Sequence, residues 1–355
     1  MKVSCDFSVT SARHRPFGAS PPWNSAWNSP LSGTAPGLVL DFAAGVYGAE
    51  NASNDLQAVM SLVRSSDGTR IDDTGALDTV GPNTGRIDHD PGSLGRLGLM
   101  LETGRSNLFT QSATPADQII SVSNVPHVLS FYGTGTITMS GAYSTTITGT
   151  GDFPARTVVE FTPGAGDLSI TVSGAILAPQ LEEGNTASSF IPSGATATAR
   201  AQDIATIGLG TWFDPTQGTL VFSGWLNGAQ ANDRIIEIDG GATSTRYSIL
   251  WNSSLGKPQF QVWEAGALQA AVAPTGSSIG FGTPFRVVVC YAANDFAVSL
   301  NGSDVVRDTS GILPSGLTTM RFGRSVWGAQ GLMLAESVVY YPQRLGDTEI
   351  KALST

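Results

Sequence analysis

Histidines and neighbouring carboxylates are the residue types in this 355-residue chain that could carry acid–base or metal chemistry. The histidines are His14, His89 and His127, and none lies next to the Gly-x-Ser-x-Gly turn of a serine hydrolase. His89 stands between Asp88 and Asp90, a spacing that suggests a metal or an acid–base site. Because a metal site needs more ligands than one histidine and two flexible carboxylates, we interpret this run as a hydrogen-bonded turn.

Glycoside hydrolysis would need two carboxylates held across a cleft. Adjacent pairs such as Glu182-Glu183 do not meet this need, because neighbouring side chains of a strand point to opposite faces. Glu237, Asp239 and Glu264 are the acidic residues considered in the C-terminal half, and their spacing does not favour catalysis. We therefore predict no catalytic residue.

The sequence contains few residue patterns that indicate a metal or cofactor site. Loop oxygens at Asn232-Asp233 or Asp304 could hold a structural calcium ion, although ordinary turn caps explain these side chains as well. The two cysteines, Cys5 and Cys290, are too few for a disulfide framework or a cysteine-rich zinc site. Cys290 lies in an apolar run and is predicted to be buried. We predict no metal site and no cofactor.

Aromatic side chains on a polar sheet face could bind sugars, because a ring covers the C–H face of a sugar while amides fix its hydroxyls. Strand alternation places Phe260 and Val262 on a core face. The same alternation leaves Gln259, Gln261 and Trp263 on the outer face. These three residues are predicted as glycan-binding candidates.

Two further candidates for glycan binding lie on neighbouring segments. The strand with Tyr247 and Ile249 on its core face leaves Arg246 outside, and Trp327 lies in a glycine-containing loop. The alternative for Trp263 and Trp327 is packing against a neighbouring domain or protomer. A fold alone does not decide between the two.

The composition predicts a mostly β protein. Charged residues make up 14% of the chain and glycine contributes 42 residues, which favours turn-rich β-structure. The net charge of -10 opposes binding to nucleic-acid phosphates. No apolar stretch is long enough to span a membrane, and none follows Lys2 as a secretory signal would. We expect synthesis in a bacterial cytoplasm.

The first 37 residues, rich in proline, serine and tryptophan, predict an extended attachment arm. The arm candidates are Arg13, Arg15, Phe17, Trp23 and Trp27. Their aromatic rings could dock on another subunit or particle, or pack on the protein's own next domain.

The rest of the chain is divided into three predicted segments. Residues 38–105 form an anchoring or connector segment with a helix over 54–64. Residues 106–200 and 201–355 are predicted to be two β-sandwiches (jelly rolls) in tandem, because short alternating runs are separated by glycine, proline and aspartate. A short helix is predicted over 347–353, with Asp347 as its N-cap.

Residues 85–91 and 98–108 resemble the linker of tail-fibre and spike proteins of tailed bacteriophages and phage-like gene transfer particles. The resemblance lies in an Arg-Ile-Asp-His-Asp run, a leucine-rich strand and an Arg-Ser-Asn-Leu turn. Residues 180–192 are similar to the signature that closes a carbohydrate-binding-module-like jelly roll in the same family. The resemblance implies that the 106–200 domain has this fold.

Residues 285–302 and 340–353 resemble the hairpin and closing strand of concanavalin A-like, laminin-G-like sandwiches. Glycan-cleaving members of that fold usually place a Glu-x-Asp-x-x-Glu pattern on one strand. Here Glu237 and Asp239 are followed by glycines and alanine, so the third carboxylate is missing.

Together the resemblances imply a virion protein, a tail fibre or head spike, that presents a glycan-binding sandwich for host adsorption. Its expected partners are other particle proteins through the arm and a host-surface polysaccharide. We expect a homo-oligomer, a trimer in a fibre or a pentamer at a capsid vertex. The alternatives are a particle-borne polysaccharide depolymerase and a purely structural connector.

Overall fold

The computed structural model describes residues 33–49, 52–53, 55–328 and 330–355, and these residues form antiparallel sheets. The attachment-arm candidates between Arg13 and Trp27 lie outside the described residues. The strands are β1 (Leu38–Asp41), β2 (Val46–Gly48), β3 (Ala52–Ser53), β4 (Ser61–Val63), β5 (Gly68–Ile71), β6 (Leu77–Val80), β7 (Arg86–His89), β8 (Arg96–Leu101), β9 (Arg105–Asn107), β10 (Gln118–Val122), β11 (His127–Tyr132), β12 (Thr136–Gly141), β13 (Thr145–Thr148), β14 (Thr157–Phe161), β15 (Gly166–Ser173), β16 (Leu177–Glu183), β17 (Thr198–Arg200), β18 (Ile204–Gly208), β19 (Gln217–Gly228), β20 (Arg234–Asp239), β21 (Arg246–Asn252), β22 (Lys257–Glu264), β23 (Ala267–Val272), β24 (Phe285–Ala292), β25 (Asp295–Leu300), β26 (Val306–Asp308), β27 (Thr319–Phe322) and β28 (Leu332–Tyr341). The helices are α1 (Leu56–Val59) and α2 (Asp347–Leu353).

The larger sandwich packs a ten-stranded sheet against a seven-stranded sheet. The first has the order β26-β25-β24-β19-β28-β1-β2-β3, with β8 beside β28 and β7 beside β8. The second has the order β23-β22-β21-β20-β27-β18-β4. Residues from both sheets, among them Phe222, Val287, Ile249 and Phe260, share one core. The predicted mostly β class with two sandwiches is confirmed.

The segment predicted as a connector, residues 38–105, contributes strands to this larger sandwich. Along one side of β28, residues 337–340 pair with β1 and residues 333–335 pair with β8. Residues 38–105 and 201–355, which were predicted as separate segments, therefore form one sandwich. A short apolar strand can pair with a distant one, and local sequence does not reveal such a partner.

The smaller sandwich lies within residues 105–200 and has its own core. A four-stranded sheet, β10-β15-β12-β13, faces a three-stranded sheet, β14-β11-β16. Phe131, Ile137, Leu168 and Leu181 are among the side chains buried between them. The chain enters along β9 and leaves along β17, and these strands pair with each other. The smaller sandwich is thus an insertion in the larger one.

The two predicted helices have different outcomes. The helix predicted over 54–64 is one turn long, because the chain extends after Val59 and β4 pairs with β18. Helix α2 has the predicted bounds, and its Ile350 packs on the outside of the ten-stranded sheet near buried Cys290. Its N-cap is Gly346 rather than Asp347, and the Glu349 carboxylate accepts the Gly346 N–H at 2.9 Å. In the described part of the chain, no helix is long and apolar enough to cross a membrane.

Candidate functional site

The predicted glycan-binding residues lie on the outer face of the seven-stranded sheet. Phe260 and Val262 point into the core and are 1% and 0% exposed, as the alternation predicts. Register then places Trp263 between Arg246 on β21 and Leu268 on β23, so that these three residues form one row across the sheet. A bulge in the β22–β23 pairing brings Leu268 opposite Trp263.

A chain of hydrogen bonds orders the polar side chains of this face. The indole N–H of Trp263 donates to Gln261 Oε1 at 3.1 Å, and Gln261 Nε2 donates to Gln259 Oε1 at 3.1 Å. Asn252 Nδ2 also donates to Gln259 Oε1, at 3.1 Å. The two glutamine amides are therefore held in a defined orientation, which sequence alternation alone does not give.

Arg246 supports Trp263 from within the sheet. Its guanidinium carbon lies 4.8 Å from the centroid of the indole, and its Nε donates to Ser248 Oγ at 3.2 Å. Arg246 is 8% exposed, which leaves little of it available to a ligand. Burial lowers the pKa of Arg246, and the charge of Arg234 lowers it further. The structure thus places Arg246 as a support for the ring, whereas the sequence predicted a ligand contact.

Trp327 stands on the loop that follows β27, and its side chain is 80% exposed. An isolated antiparallel β-bridge between the backbones of Arg324 and Gln330 closes the loop. The backbone N–H of Val326 donates to Glu237 Oε1 at 2.8 Å, which ties the loop to the outer face of β20. The loop therefore holds Trp327 at the same sheet face as Arg246 and Trp263.

The carboxylates of this face are engaged in ion pairs or hydrogen bonds. Glu237 is fully buried and accepts from Arg234 Nε at 2.7 Å. Asp239 is also fully buried and forms two hydrogen bonds with Arg321, at 2.6 and 3.1 Å. Glu264 accepts from the backbone N–H and the hydroxyl of Ser315. These carboxylates fix the sheet face and its loops.

The prediction of a hydrogen-bonded turn holds for Asp90, whereas Asp88 and His89 end strand β7 and contact Ile71 of β5. Asp88 accepts the Ile71 N–H at 2.7 Å, and His89 Nδ1 lies 3.2 Å from the Ile71 carbonyl oxygen. Asp90 accepts the N–H groups of the turn that follows it. Burial raises the pKa of Asp88 to about 7, although the Ile71 hydrogen bond opposes this.

The calcium alternatives are occupied by protein partners. Asp233 accepts the Gln230 N–H at 2.7 Å, and Asp304 pairs with Lys351 at 2.7 Å. Among residues 33–49, 52–53, 55–328 and 330–355, no group of three or more histidine, cysteine or acidic side chains is placed to hold a metal ion.

A buried ion cluster at the junction of the two sandwiches was missed by the sequence analysis. The cluster consists of Arg64, Arg86, Glu102, Arg200 and Asp203. Arg86 donates to Glu102 at 2.7 Å and also pairs with Asp203, while Arg64 pairs with Asp203 at 3.0 Å. Arg86 and Glu102 lie in the runs 85–91 and 98–108, but the other three members are far from these runs in sequence, so no local pattern shows that the five residues meet. The ion pairs between them connect the strands that lead into and out of the insertion.

The two motifs that carry the phage resemblance meet beside this cluster. Asn107 Nδ2 donates to the carbonyl oxygens of Pro179 and Ile191 at 3.1 and 2.9 Å. Gln180 accepts the Ile191 N–H at 2.5 Å, and Ser189 donates its N–H to Glu102 at 2.8 Å. The motif residues therefore close the insertion and attach it to the larger sandwich.

No protein-family model matches the sequence, and no curated protein matches it. Solved structures similar to part of the chain include the CBM40 of the Ruminococcus gnavus IT-sialidase bound to α2,3-sialyllactose. That pair has a TM-score of 0.36 and 13% identity, over 40% of this chain and 83% of the other. The NanB sialidase of Streptococcus pneumoniae gives a TM-score of 0.37 and 13% identity, over 42% and 26%. The Trypanosoma rangeli sialidase gives 0.33 and 14%, over 42% and 26%. We therefore infer the ligand of this chain from its own side chains.

Proposed function

We propose that the protein binds a glycan on the outer face of the seven-stranded sheet. Trp327 is the observation that carries the proposal, because its indole is 80% exposed. Covering an exposed aromatic ring with an apolar surface lowers the free energy, and the C–H face of a sugar ring provides such a surface. Trp263, half-buried on the same face, supplies a second ring.

The loop that carries Trp327 is tied down rather than free. The Val326–Glu237 hydrogen bond holds the residue before the indole, and an antiparallel β-bridge between Arg324 and Gln330 closes the base of the loop. A ring held in place before binding loses less conformational entropy when the ligand arrives. The contacts of the loop therefore support a binding role for Trp327.

The ordered amides of Gln259 and Gln261 supply the polar part of the site. Each amide offers both a donor and an acceptor, which suits sugar hydroxyls. Their hydrogen-bonded chain fixes which atom faces which neighbour. A sugar could thus be covered by a ring and oriented by amides within one sheet face.

We also propose that this face serves adsorption of a phage or phage-like particle to a host-surface polysaccharide. The support is the resemblance carried by residues 85–108 and 180–192. In this proposal the chain is a homo-oligomeric fibre or spike, and its N-terminal arm attaches to other particle proteins.

A glycan array probed with the full-length protein tests the binding function. We expect wild-type protein to bind a subset of glycans, and Trp327→Ala to lose that binding while its circular dichroism is unchanged. Ile119→Ala is the matched control, because Ile119 is also exposed, at 69%, but lies on the inserted sandwich. If Trp327→Ala keeps its binding but dissociates into smaller oligomers, Trp327 is a protomer contact and the proposal is wrong.

A further inference from the structure

We propose that the glycan bound by this face is acidic, and that Arg324 binds its anionic group. This inference rests on the proposed glycan-binding function and names the class of sugar. Arg324 lies three residues before Trp327, at the beginning of the same closed loop. It takes no part in the hydrogen-bonded chain of Asn252, Gln259, Gln261 and Trp263.

Arg324 lacks a protein counter-ion within the described part of the chain. No carboxylate lies within 4.0 Å of its guanidinium nitrogens there, in contrast to Arg234 and Arg321 of the same face. Its Nε–H is buried and has no hydrogen-bond acceptor among the described residues. Arg324 as a whole is only half-buried, so an anionic ligand group can approach its guanidinium and supply the missing counter-ion.

The surroundings of Arg324 are positively charged. Burial lowers the pKa of Arg324, and the charge of Arg321 lowers it further. Arg321 is 21% exposed and already paired with Asp239. A ligand anion beside Arg324 would therefore relieve repulsion between the two guanidinium groups.

The other arginines of this face have carboxylate partners. Arg234 and Arg246 pair with Glu237, and Arg321 pairs with Asp239. Arg324 is the fourth arginine of the face, and no carboxylate of the described residues neutralises its charge. Because the chain as a whole has a net charge of -10, a positive charge of this kind favours an anionic ligand here over other parts of the surface.

The guanidinium of Arg324 lies beside the backbone of the loop that carries Trp327. Gly328 has a φ of +93°, and a Cβ built there would lie 3.4 Å from Nη2 of Arg324. The guanidinium therefore packs against the backbone of the residue that follows Trp327. A sugar ring that covers the indole could direct its carboxylate or sulfate at Arg324.

The test uses an array on which carboxylated and sulfated glycans stand beside neutral forms of the same backbones. We expect full-length wild-type protein to favour acidic forms, and Arg324→Gln to lose about ten-fold in affinity for them without losing neutral forms. Arg324→Lys keeps the charge and should retain part of the preference. Arg307→Gln, which removes an arginine from the opposite sheet, is the matched control.

The outcomes separate this inference from the function beneath it. If wild-type protein binds acidic and neutral forms equally, or if Arg324→Gln keeps the acidic preference, the inference is wrong and glycan binding stands. A preference for carboxylated over sulfated forms, or the reverse, that disappears in Arg324→Gln identifies the anionic group. If wild-type protein binds no glycan on the array, the proposed function fails and the inference fails with it.

Discussion

Arg86 and Glu102 form a buried ion pair with a distance of 2.7 Å where the two sandwiches meet. Ser189, from the inserted sandwich, donates its N–H and its hydroxyl to the same carboxylate, at 2.8 and 2.6 Å. One carboxylate therefore connects strand β7 of the larger sandwich to the end of the insertion. Burial would raise the pKa of Glu102, but the charges of Arg200 and Arg86 outweigh it and hold the pKa well below its usual range.

Replacement of Glu102 by glutamine should strongly destabilise the protein. The change leaves buried arginines with one fewer carboxylate, and breaking a buried ion pair on one side costs about 3–5 kcal/mol. Denaturant unfolding measures the loss. Asp304→Asn, which breaks the exposed pair with Lys351, is the control and should leave the midpoint unchanged. Equal midpoints for the two variants would show that the junction cluster does not stabilise the fold.

The buried carboxyl of Asp88 should make stability depend on pH in the opposite direction to an ordinary ion pair. Its pKa is raised from 3.8 to about 7, so the folded state holds a proton that the unfolded state releases. Stability from this group is therefore present below its unfolded pKa and is lost as pH rises towards 7. Each unit of pKa difference is worth about 1.4 kcal/mol.

Asp88→Asn removes this titration but keeps an oxygen that can accept the Ile71 N–H. We expect the variant to gain stability relative to wild-type protein as pH rises between about 4 and 7. Urea unfolding at a series of pH values measures the difference. Parallel stability curves for the two proteins would contradict the raised pKa of Asp88.

Gly98 tests the pairing of β8 with β28. Its φ is +148°, and a Cβ built there would overlap the carbonyl oxygen of Ala335 on β28. Gly98→Ala should therefore lower the free energy of unfolding by about 2 kcal/mol or more. Gly81→Ala is the control, because a Cβ there meets no atom within 4 Å. If both variants unfold at the same midpoint, β8 is not packed against β28 as described.

Arg246 should affect glycan binding through Trp263. Arg246→Met removes the guanidinium that lies 4.8 Å from the ring centroid and leaves an unbranched, uncharged side chain in its place. A cation–π contact of this kind corresponds to a roughly two- to thirty-fold loss of glycan affinity. Isothermal titration with an array-selected glycan measures it, with Arg307→Met as the control. Unchanged affinity in Arg246→Met would show that Trp263 needs no such support.

Local alternation was sufficient to predict which residues of β22 face the core and which face outward. Phe260 and Val262 are core residues and Trp263 is outside, because a strand reverses its side chains at every residue. The burial of Cys290 was predicted from the apolar run in which it lies, and it is confirmed.

Long-range pairing could not be predicted from the same patterns. Arg64 and Asp203 form a buried ion pair although they are 139 residues apart in sequence, and no local pattern links the two. The partner of β1 is β28, about 300 residues away. Both strands are apolar, but many strands of this chain share that pattern, so the pattern does not identify the partner. Trp327 was identified as a loop residue, but the Val326–Glu237 contact that brings the loop to the sheet face is visible only in the structure.

A structure of the full-length protein with an array-selected glycan tests the central claim most directly. We predict a sugar ring on the indole of Trp327, next to Trp263 and the Gln259–Gln261 amides, on the outer face of the seven-stranded sheet. A glycan bound to the inserted sandwich instead, with Trp327 still exposed or covered by another protomer, would contradict the claim.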